Sequence, residues 1–170
     1  MIPYYSFVAY SGAGKTSYLE KLVAELKRRG VRVAVIKHDA HRLELDKEGK
    51  DSWRFAKAGA DVVAVADGEK CALMEYRPVP LERLLSRIEG VDLILVEGWH
   101  SEAKNTVALY RASSGKPLKA GPRGCAAVVS DTPLDTGGVP LFPLDDPAPM
   151  ASFLLARLSK RGSFDNTGLI

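Results

Sequence analysis

The hydrophobic residues of this chain follow two periodicities: short apolar runs typical of buried strands, and three- and four-residue spacings typical of helices. The first apolar run covers residues 4–8. In the next segment the apolar residues share one helical face: Leu19, Leu22, Val23 and Leu26. Gly30 suits the left-handed position just beyond a helix, and a second β-rich run follows at 31–36. Strand, helix and strand in this order predict a parallel βαβ unit.

The same two periodicities predict the remaining elements. Further strands are expected at 61–66, 71–76, 91–98, 106–110, 126–129 and 139–144. Helices are expected at 51–57, from Pro80 to a stop at Gly90, and around 150–158. Asp67-Gly68 joins two of the strands and predicts an antiparallel hairpin. Asp51 and Ser52 are expected to cap the short second helix.

The segment between the first strand and the first helix has the composition of a phosphate-binding P-loop, Ala9-Tyr10-Ser11-Gly12-Ala13-Gly14-Lys15-Thr16. Its small residues let successive backbone N–H groups turn toward an anion, and the helix that follows adds its positive dipole end. The predicted nucleotide-binding residues are Ser11, Gly12, Ala13, Gly14, Lys15, Thr16 and Ser17. Lys15 is expected to reach the β- and γ-phosphates as a catalytic residue, and the Thr16 hydroxyl to bind Mg²⁺.

One P-loop position departs from the usual pattern, because Ala9 stands where the first glycine normally stands. Alanine does not adopt a positive φ cheaply, so we expect the loop to keep Ala9 in an ordinary backbone region. With this loop, the alternating elements predict an α/β protein of the three-layer P-loop NTPase fold. Such a fold has a mostly parallel sheet with helices on both faces, here with an added antiparallel hairpin. The predicted organisation is a single nucleotide-binding domain over 1–162 and a disordered tail at 163–170.

Carboxylates follow three of the predicted strands, at the sheet edge where open α/β proteins bind ligands. Glu97 ends the apolar run 91–98 and, beside a P-loop, forms a Walker B pattern in which it would hold Mg²⁺ directly or through water. Asp39 is a second catalytic candidate, able to contact Mg²⁺ or to orient a water molecule. Asp131 can accept hydrogen bonds from guanine N1–H and N2–H₂, which adenine lacks; alternatively, it caps the turn before Pro133.

Other polar residues have weaker functional interpretations. His38 and His41 have the spacing of a metal pair, but a solvated loop is the more common use of such residues. The basic residues of the connection after 110 either bind an anion or are simply solvated: Lys116, Lys119 and Arg123. Cys71 and Cys125 lie inside apolar runs and are expected to be buried, reduced thiols without a disulfide or metal role.

Charge and hydropathy exclude several classes of function. The 24 basic and 21 acidic residues leave a formal net charge of +3, which is too balanced for a general nucleic-acid or membrane surface. No apolar run has the length of a transmembrane helix. Strand pattern begins by Tyr4, which leaves no room for a signal peptide, so a cytoplasmic location is expected.

Several blocks together resemble the molybdopterin-guanine dinucleotide biosynthesis protein B family, MobB. The blocks are 9–16, 36–41, 49–54, 58–60, 92–98 and 127–131, and they span about residues 5–155 in the family's order. Gly49-Lys50-Asp51-Ser52 is far more specific than the P-loop alone. The sequence departs from the family pattern at Ala9 and at Ala40, which stands between His38 and His41 and weakens any role for a histidine cluster.

The resemblance implies a GTP-binding accessory protein that uses Mg²⁺, hydrolyses GTP slowly at most and acts late in molybdenum cofactor synthesis. It further implies a homodimer that supports a MobA-type molybdopterin guanylyltransferase, with molybdopterin as a further candidate ligand. The alternative is an ATP-dependent small-molecule kinase of the P-loop class. A kinase needs arginines that close over the phosphates, and the candidates are Arg54, Arg111 and Arg123.

Overall fold

A computed structural model describes residues 1–38, 43, 45–99 and 105–162, with side chains to residue 159. The strands are β1 Tyr4–Val8, β2 Val33–Lys37, β3 Val62–Ala66, β4 Cys71–Glu75, β5 Leu93–Glu97, β6 Thr106–Tyr110, β7 Ala127–Ser130 and β8 Leu141–Pro143. The helices are α1 Lys15–Arg28, α2 Asp51–Lys57, α3 Leu81–Leu85 and α4 Ala148–Gly162, and a single 3₁₀ turn covers Ala112–Ser114. Each predicted strand and helix is present, with ends shifted by a few residues. The predicted tail, 163–170, lies outside the described residues.

The chain divides into two compact units, Met1–His38 with Leu81–Ile170, and Asp39–Pro80. The larger unit contains a six-stranded sheet in the order β2-β5-β1-β6-β7-β8, and all neighbouring strands in it are parallel. The smaller unit contains α2 and the antiparallel pair β3-β4. These features confirm the predicted α/β fold. The assignment of 1–162 to a single domain stays a prediction.

The core of the larger unit lies on both faces of its sheet, and strand β5 illustrates the arrangement. Leu93 and Leu95 pack into one cluster, which includes the apolar residues of α1 and α4. Ile94 and Val96 point to the opposite face and pack with Leu81 and Leu85 of α3. Alternate residues of a strand face opposite sides of a sheet, so helices cover both faces as predicted.

Helix α1 ends in the way that its sequence predicts. Gly30 has φ +80°. Its N–H donates to Lys27 O, and the N–H of Val31 donates to Leu26 O, the two bonds of a Schellman motif. Because this motif uses Val31, β2 begins at Val33 rather than at residue 31.

Two other predictions about local structure are wrong. Lys50, rather than Asp51 or Ser52, is the N-cap of α2, and no side chain caps it. The Ser52 hydroxyl instead donates to Asp46 at 2.9 Å. Helix α3 is also shorter than expected and ends at Leu85, although Ile88 still packs against its cluster.

The prediction that both cysteines are buried is wrong for Cys71, which is exposed, and only partly right for Cys125, which is half-buried. Cys71 pairs with Ala66 in the β3-β4 ribbon, beside the turn. A two-stranded ribbon buries far less of its apolar surface than a six-stranded sheet covered by helices. Burial raises the pKa of the Cys125 thiol. Within the described ranges, every helix is too short or too polar to cross a membrane.

Candidate functional site

The P-loop lies between β1 and α1, where the sequence predicts it. Gly12 and Gly14 have φ values of +86° and +83°, and Gly14 is the N-cap of α1. Both values lie in the left-handed region that favours glycine. The N–H of Ala13 donates to Tyr10 O at 3.3 Å, which tightens the bend. The loop therefore leads directly into the N-terminus of α1, where no side chain caps the helix and the first backbone N–H groups can bind phosphate.

Ala9 fits the P-loop without strain. Among the described residues, Asn105 is the only non-glycine residue with a positive φ, so Ala9 keeps an ordinary backbone conformation as expected. Ala9 and Ala13 are each 3% exposed and pack into the core cluster with α1. The methyl group in place of the usual glycine thus joins the core beneath the loop.

Lys15, Thr16 and Glu97 come together at the carboxyl edge of the sheet. The Thr16 hydroxyl donates to Glu97 Oε1 at 2.7 Å. The Lys15 ammonium nitrogen lies 3.5 Å from the same oxygen. Glu97 is only 7% exposed, so its charge depends on these two partners for compensation. The adjacent residues Lys15 and Thr16 thus form a cluster of a cation, a hydroxyl and a carboxylate with Glu97, which lies 81 positions beyond Thr16.

Strand pairing fixes the position of Glu97. β5 lies between β1 and β2, with Glu97 in register with Phe7 on one side and Lys37 on the other. The chain then passes very close to the end of β2, because a Cβ on Gly98 would lie 2.6 Å from His38 O. Gly98 also has φ +87°. Glycine is therefore required here both for conformation and for space.

The donor set fits Mg²⁺. Thr16 Oγ1 and Glu97 Oε1 are hard oxygen ligands, and octahedral bonds of 2.0–2.1 Å place adjacent ligands about 2.9 Å apart. Their separation of 2.7 Å is close to that value. Among the described residues there is no group of three or more His, Cys, Asp and Glu side chains that could hold a metal by themselves. Mg²⁺ typically uses one or two protein ligands with phosphate and water, so this sparse set is suitable.

Asp131 lies at the end of β7 and is exposed. Its Oδ1 accepts the N–H of Ala112 at 2.9 Å. The turn before Pro133 is held instead by Ser130, whose hydroxyl oxygen accepts the N–H of Thr132 at 3.0 Å. Asp131 therefore fixes the start of the connection after β6, and the turn-capping alternative is wrong as stated. A carboxylate has about four acceptor sites, so this bond leaves capacity for a ligand.

Two basic residues from the connection after β6 contact the P-loop. Arg111 Nε donates to Ala13 O at 3.2 Å, and Lys116 Nζ donates to Ser11 O at 3.3 Å. Both residues are candidates from the sequence, but their position at the P-loop is not predicted by it. The sheet order brings them there, because β6 pairs with β1 and its carboxyl end therefore lies beside the P-loop. Of the other two candidate arginines, Arg54 forms an ion pair with Asp51 at 3.5 Å, and Arg123 is exposed.

Some of the remaining predicted site residues have a position in the structure, and others lie outside the described residues. Ser11 and Ser17 are exposed on the P-loop and the first turn of α1. His38 packs against Trp99, with ring centroids 4.5 Å apart. Asp39 and His41 lie outside the described residues, so the catalytic role of Asp39 and the histidine pair stay predictions.

Comparisons with known proteins agree with this geometry. A model of the family described as molybdopterin guanine dinucleotide synthesis protein B matches residues 5–131. Two proteins called molybdopterin-guanine dinucleotide biosynthesis adapter protein are similar in sequence. The one from Haemophilus influenzae is 42% identical over 79% of this chain and 78% of its own length. The one from Escherichia coli is 39% identical over 95% of this chain and 96% of its own length. The crystal structure of Bacillus subtilis MobB is 28% identical and superposes with a TM-score of 0.72, covering 91% of this chain and 97% of that one.

Proposed function

The chain belongs to the molybdopterin guanine dinucleotide synthesis protein B family, and we propose that it is a GTP-binding accessory protein of molybdenum cofactor biosynthesis. The names of its relatives, adapter proteins of molybdopterin-guanine dinucleotide biosynthesis, support the pathway. The observation that carries nucleotide binding is the cluster of Lys15, Thr16 and Glu97 at the P-loop. We place the protein in the cytoplasm as part of this proposal.

The bound species in this proposal is Mg²⁺-GTP. Lys15 would turn from Glu97 to the β- and γ-phosphates, while Thr16 and Glu97 would hold the metal. The bound ion supplies charge neutralisation for phosphoryl transfer. The residues Ser11 to Ser17 would bind the phosphates through the loop amides and the hydroxyl groups. Hydrolysis is at most slow in this proposal, because fast phosphoryl transfer needs a positioned water and a full set of cations. Among the described residues, the charged side chains at the P-loop are Lys15, Glu97, Arg111, Lys116 and Lys119, and the last three contact the loop backbone or the Tyr10 ring.

Replacing Lys15 with alanine is the direct test. Loss of a charge-assisted contact with phosphate costs about 1.5–3 kcal/mol, so we expect the dissociation constant for Mg²⁺-GTP to rise about 10- to 100-fold. Lys21→Ala is the matched control, because it removes an exposed lysine from the same helix. Isothermal calorimetry measures both. Affinity equal to the parent in Lys15→Ala would exclude the P-loop as the binding site.

The metal role of Glu97 has its own test. Glu97→Gln keeps the shape and an acceptor for the Thr16 hydroxyl but removes the charge that attracts a dication. We expect Mg²⁺ to increase GTP affinity in the parent and to increase it far less in this variant. Titrations with and without Mg²⁺ measure that difference, and an unchanged effect of Mg²⁺ would remove Glu97 from the site.

The selection of guanine is proposed to come from Asp131. Adenine would leave its free acceptor sites unpaired, and an unsatisfied polar group disfavours the wrong ligand by about 1–3 kcal/mol. Asp131→Asn is the sharper variant, because its amide oxygen still accepts from Ala112 N–H while its NH₂ opposes the guanine donors. The ratio of GTP to ATP dissociation constants should approach one in this variant. A ratio equal to that of the parent would mean that another group selects the base.

Partners complete the proposal: a homodimer that supports a MobA-type molybdopterin guanylyltransferase, with molybdopterin as a further ligand. The name adapter protein in the relatives supports a partner in the pathway. Exposed apolar residues on the β3-β4 ribbon support the homodimer, with Val62 46% and Leu73 62% exposed on the same face. Titrating a purified guanylyltransferase with this protein, with and without GTP, tests the first partner.

A further inference from the structure

The connection that follows β6 lies against the P-loop and carries two cations that bind its backbone. Arg111 Nε donates to the carbonyl oxygen of Ala13, and Lys116 Nζ donates to that of Ser11. The ammonium groups of Lys116 and Lys119 also lie 5.9 and 5.3 Å from the centre of the Tyr10 ring, within the range of a cation–π contact. The two hydrogen bonds thus reach alternate carbonyl groups of the loop.

Because the peptide group is planar, these two hydrogen bonds also determine the direction of two backbone N–H groups. In a planar trans peptide the C=O of one residue and the N–H of the next point in opposite directions. The described residues contain no cis peptide bond. When Lys116 holds Ser11 O, the N–H of Gly12 must point away from Lys116. When Arg111 holds Ala13 O, the N–H of Gly14 must point away from Arg111.

We propose that Arg111 and Lys116 are positioning residues, which set the Gly12 and Gly14 amides to receive phosphate before a nucleotide binds. This inference rests on the proposed function, because it assigns the orientation of the same P-loop. The two glycines have positive φ values and would otherwise sample many conformations. A loop that is already oriented loses less conformational entropy on binding, and its affinity is higher for that reason.

Hydrogen bonds of the backbone hold the segment that carries both cations, and the Lys116 N–H donates to the Ser114 hydroxyl oxygen at 3.3 Å. The carbonyl oxygen of Arg111 accepts the Ser114 hydroxyl at 2.7 Å and the Ser114 N–H at 3.1 Å. Asp131 accepts the next N–H, that of Ala112, at 2.9 Å. The guanidinium also lies directly on the loop, since a Cβ on Gly14 would come within 2.8 Å of Arg111 Nη2. The carboxylate proposed to select guanine therefore also anchors the backbone next to Arg111, one of the two cations that orient the phosphate loop.

The first test uses the nucleotide-free protein, in which no ligand contact contributes. Arg111→Ala should shift the Gly14 amide resonance and accelerate its hydrogen exchange, while Lys116→Ala should do so for Gly12. Arg123→Ala removes an exposed positive charge from the same connection and should leave both glycine amides unchanged. If neither variant affects its glycine, or if both affect every P-loop amide alike, the proposal is wrong.

The second test is nucleotide affinity. Arg111→Ala should weaken GTP and GDP by the same factor, about 5- to 10-fold, because both use the oriented amides. Arg111→Gln, which retains a neutral N–H donor for Ala13 O, should recover most of that loss. A loss confined to GTP, or a glutamine variant as weak as alanine, would mean direct contact with phosphate and would overturn the positioning role. Parent-like affinity in both variants would overturn it too. If Lys15→Ala also bound GTP like the parent, the failure would lie with the nucleotide site itself.

Discussion

Strands β5 and β4 are both apolar five-residue strands, yet they differ in how far their side chains are buried. All five residues of β5 are buried, including Glu97, whereas β4 has three exposed and two half-buried residues. β5 has a parallel neighbour on each side and core clusters on both faces, whereas within the described part of the chain β4 pairs with β3 alone. An apolar run therefore predicts a strand, but the neighbours of that strand determine its burial. Burial holds the Glu97 carboxylate beside Lys15 and Thr16, whereas β4 keeps apolar side chains exposed.

The largest expected difference comes from truncating one leucine in each strand. Leu95 is fully buried and Leu73 is 62% exposed. Leu95→Ala should destabilise the protein by about 3–5 kcal/mol, while Leu73→Ala should change stability by less than about 0.5 kcal/mol. Urea denaturation measures both free energies of unfolding. Equal losses would show that β4 is as well packed in solution as β5.

The proposed homodimer can be tested with the same two regions of the molecule. If the ribbon is the association surface, Leu73→Asp should convert a dimer to a monomer of 18.4 kDa in sedimentation at micromolar concentration. Val35→Asp, at an exposed position in β2 of the larger unit, is the control. A dimer that survives Leu73→Asp but dissociates with Val35→Asp would place the interface at the edge strand β2.

An intermediate effect is expected where β5 ends. Gly98→Ala introduces a methyl group 2.6 Å from His38 O at a positive φ. Overpacking and left-handed strain together should cost about 2–5 kcal/mol and displace Glu97, which would weaken Mg²⁺-GTP binding. Gly30→Ala has a similar φ but no atom within 4 Å of the added carbon, so only the strain of about 1–2 kcal/mol should remain. Similar losses in the two variants would mean that the contact with His38 relaxes freely.

The smallest expected effect is a change in how the stability of the protein falls at low pH. Asp92, just before β5, forms hydrogen bonds with the side chain and backbone of Arg32, which lower its pKa to about 2. Asp67, at the β3-β4 turn, has its pKa lowered by the backbone N–H groups of Glu69 and Lys70. A lowered carboxyl pKa contributes stability above the unfolded value of 3.8, and the contribution is lost as pH falls through the folded value. Asp92→Asn should therefore flatten the fall in stability between about pH 4 and pH 2. NMR titration of the two carboxyl groups provides the check, and an ordinary pKa for Asp92 would contradict it.

Much of the fold could be predicted, because it depends on local patterns. The P-loop, the Schellman motif at Gly30 and the apolar strand ending in Glu97 each have a short signature that specifies one geometry. The exposure of Cys71 could not be predicted, since it depends on which strands pair with β4. The contacts of Arg111 and Lys116 with the P-loop join residues about 100 positions apart, and only the sheet order brings them together. The predicted cap at Asp51 is wrong by one residue, because the N-cap is Lys50. Sequence patterns do not locate a helix end to within a single residue.

The close approach at Gly98 has a genetic consequence. The atom that a side chain at position 98 would meet is the main-chain oxygen of residue 38, which every amino acid carries. Exchanging His38 for a smaller residue would leave that oxygen where it is, so no such exchange relieves the clash. In a selection for suppressors of Gly98→Ala, revertants should restore glycine at position 98 itself, and compensating substitutions at position 38 should be missing.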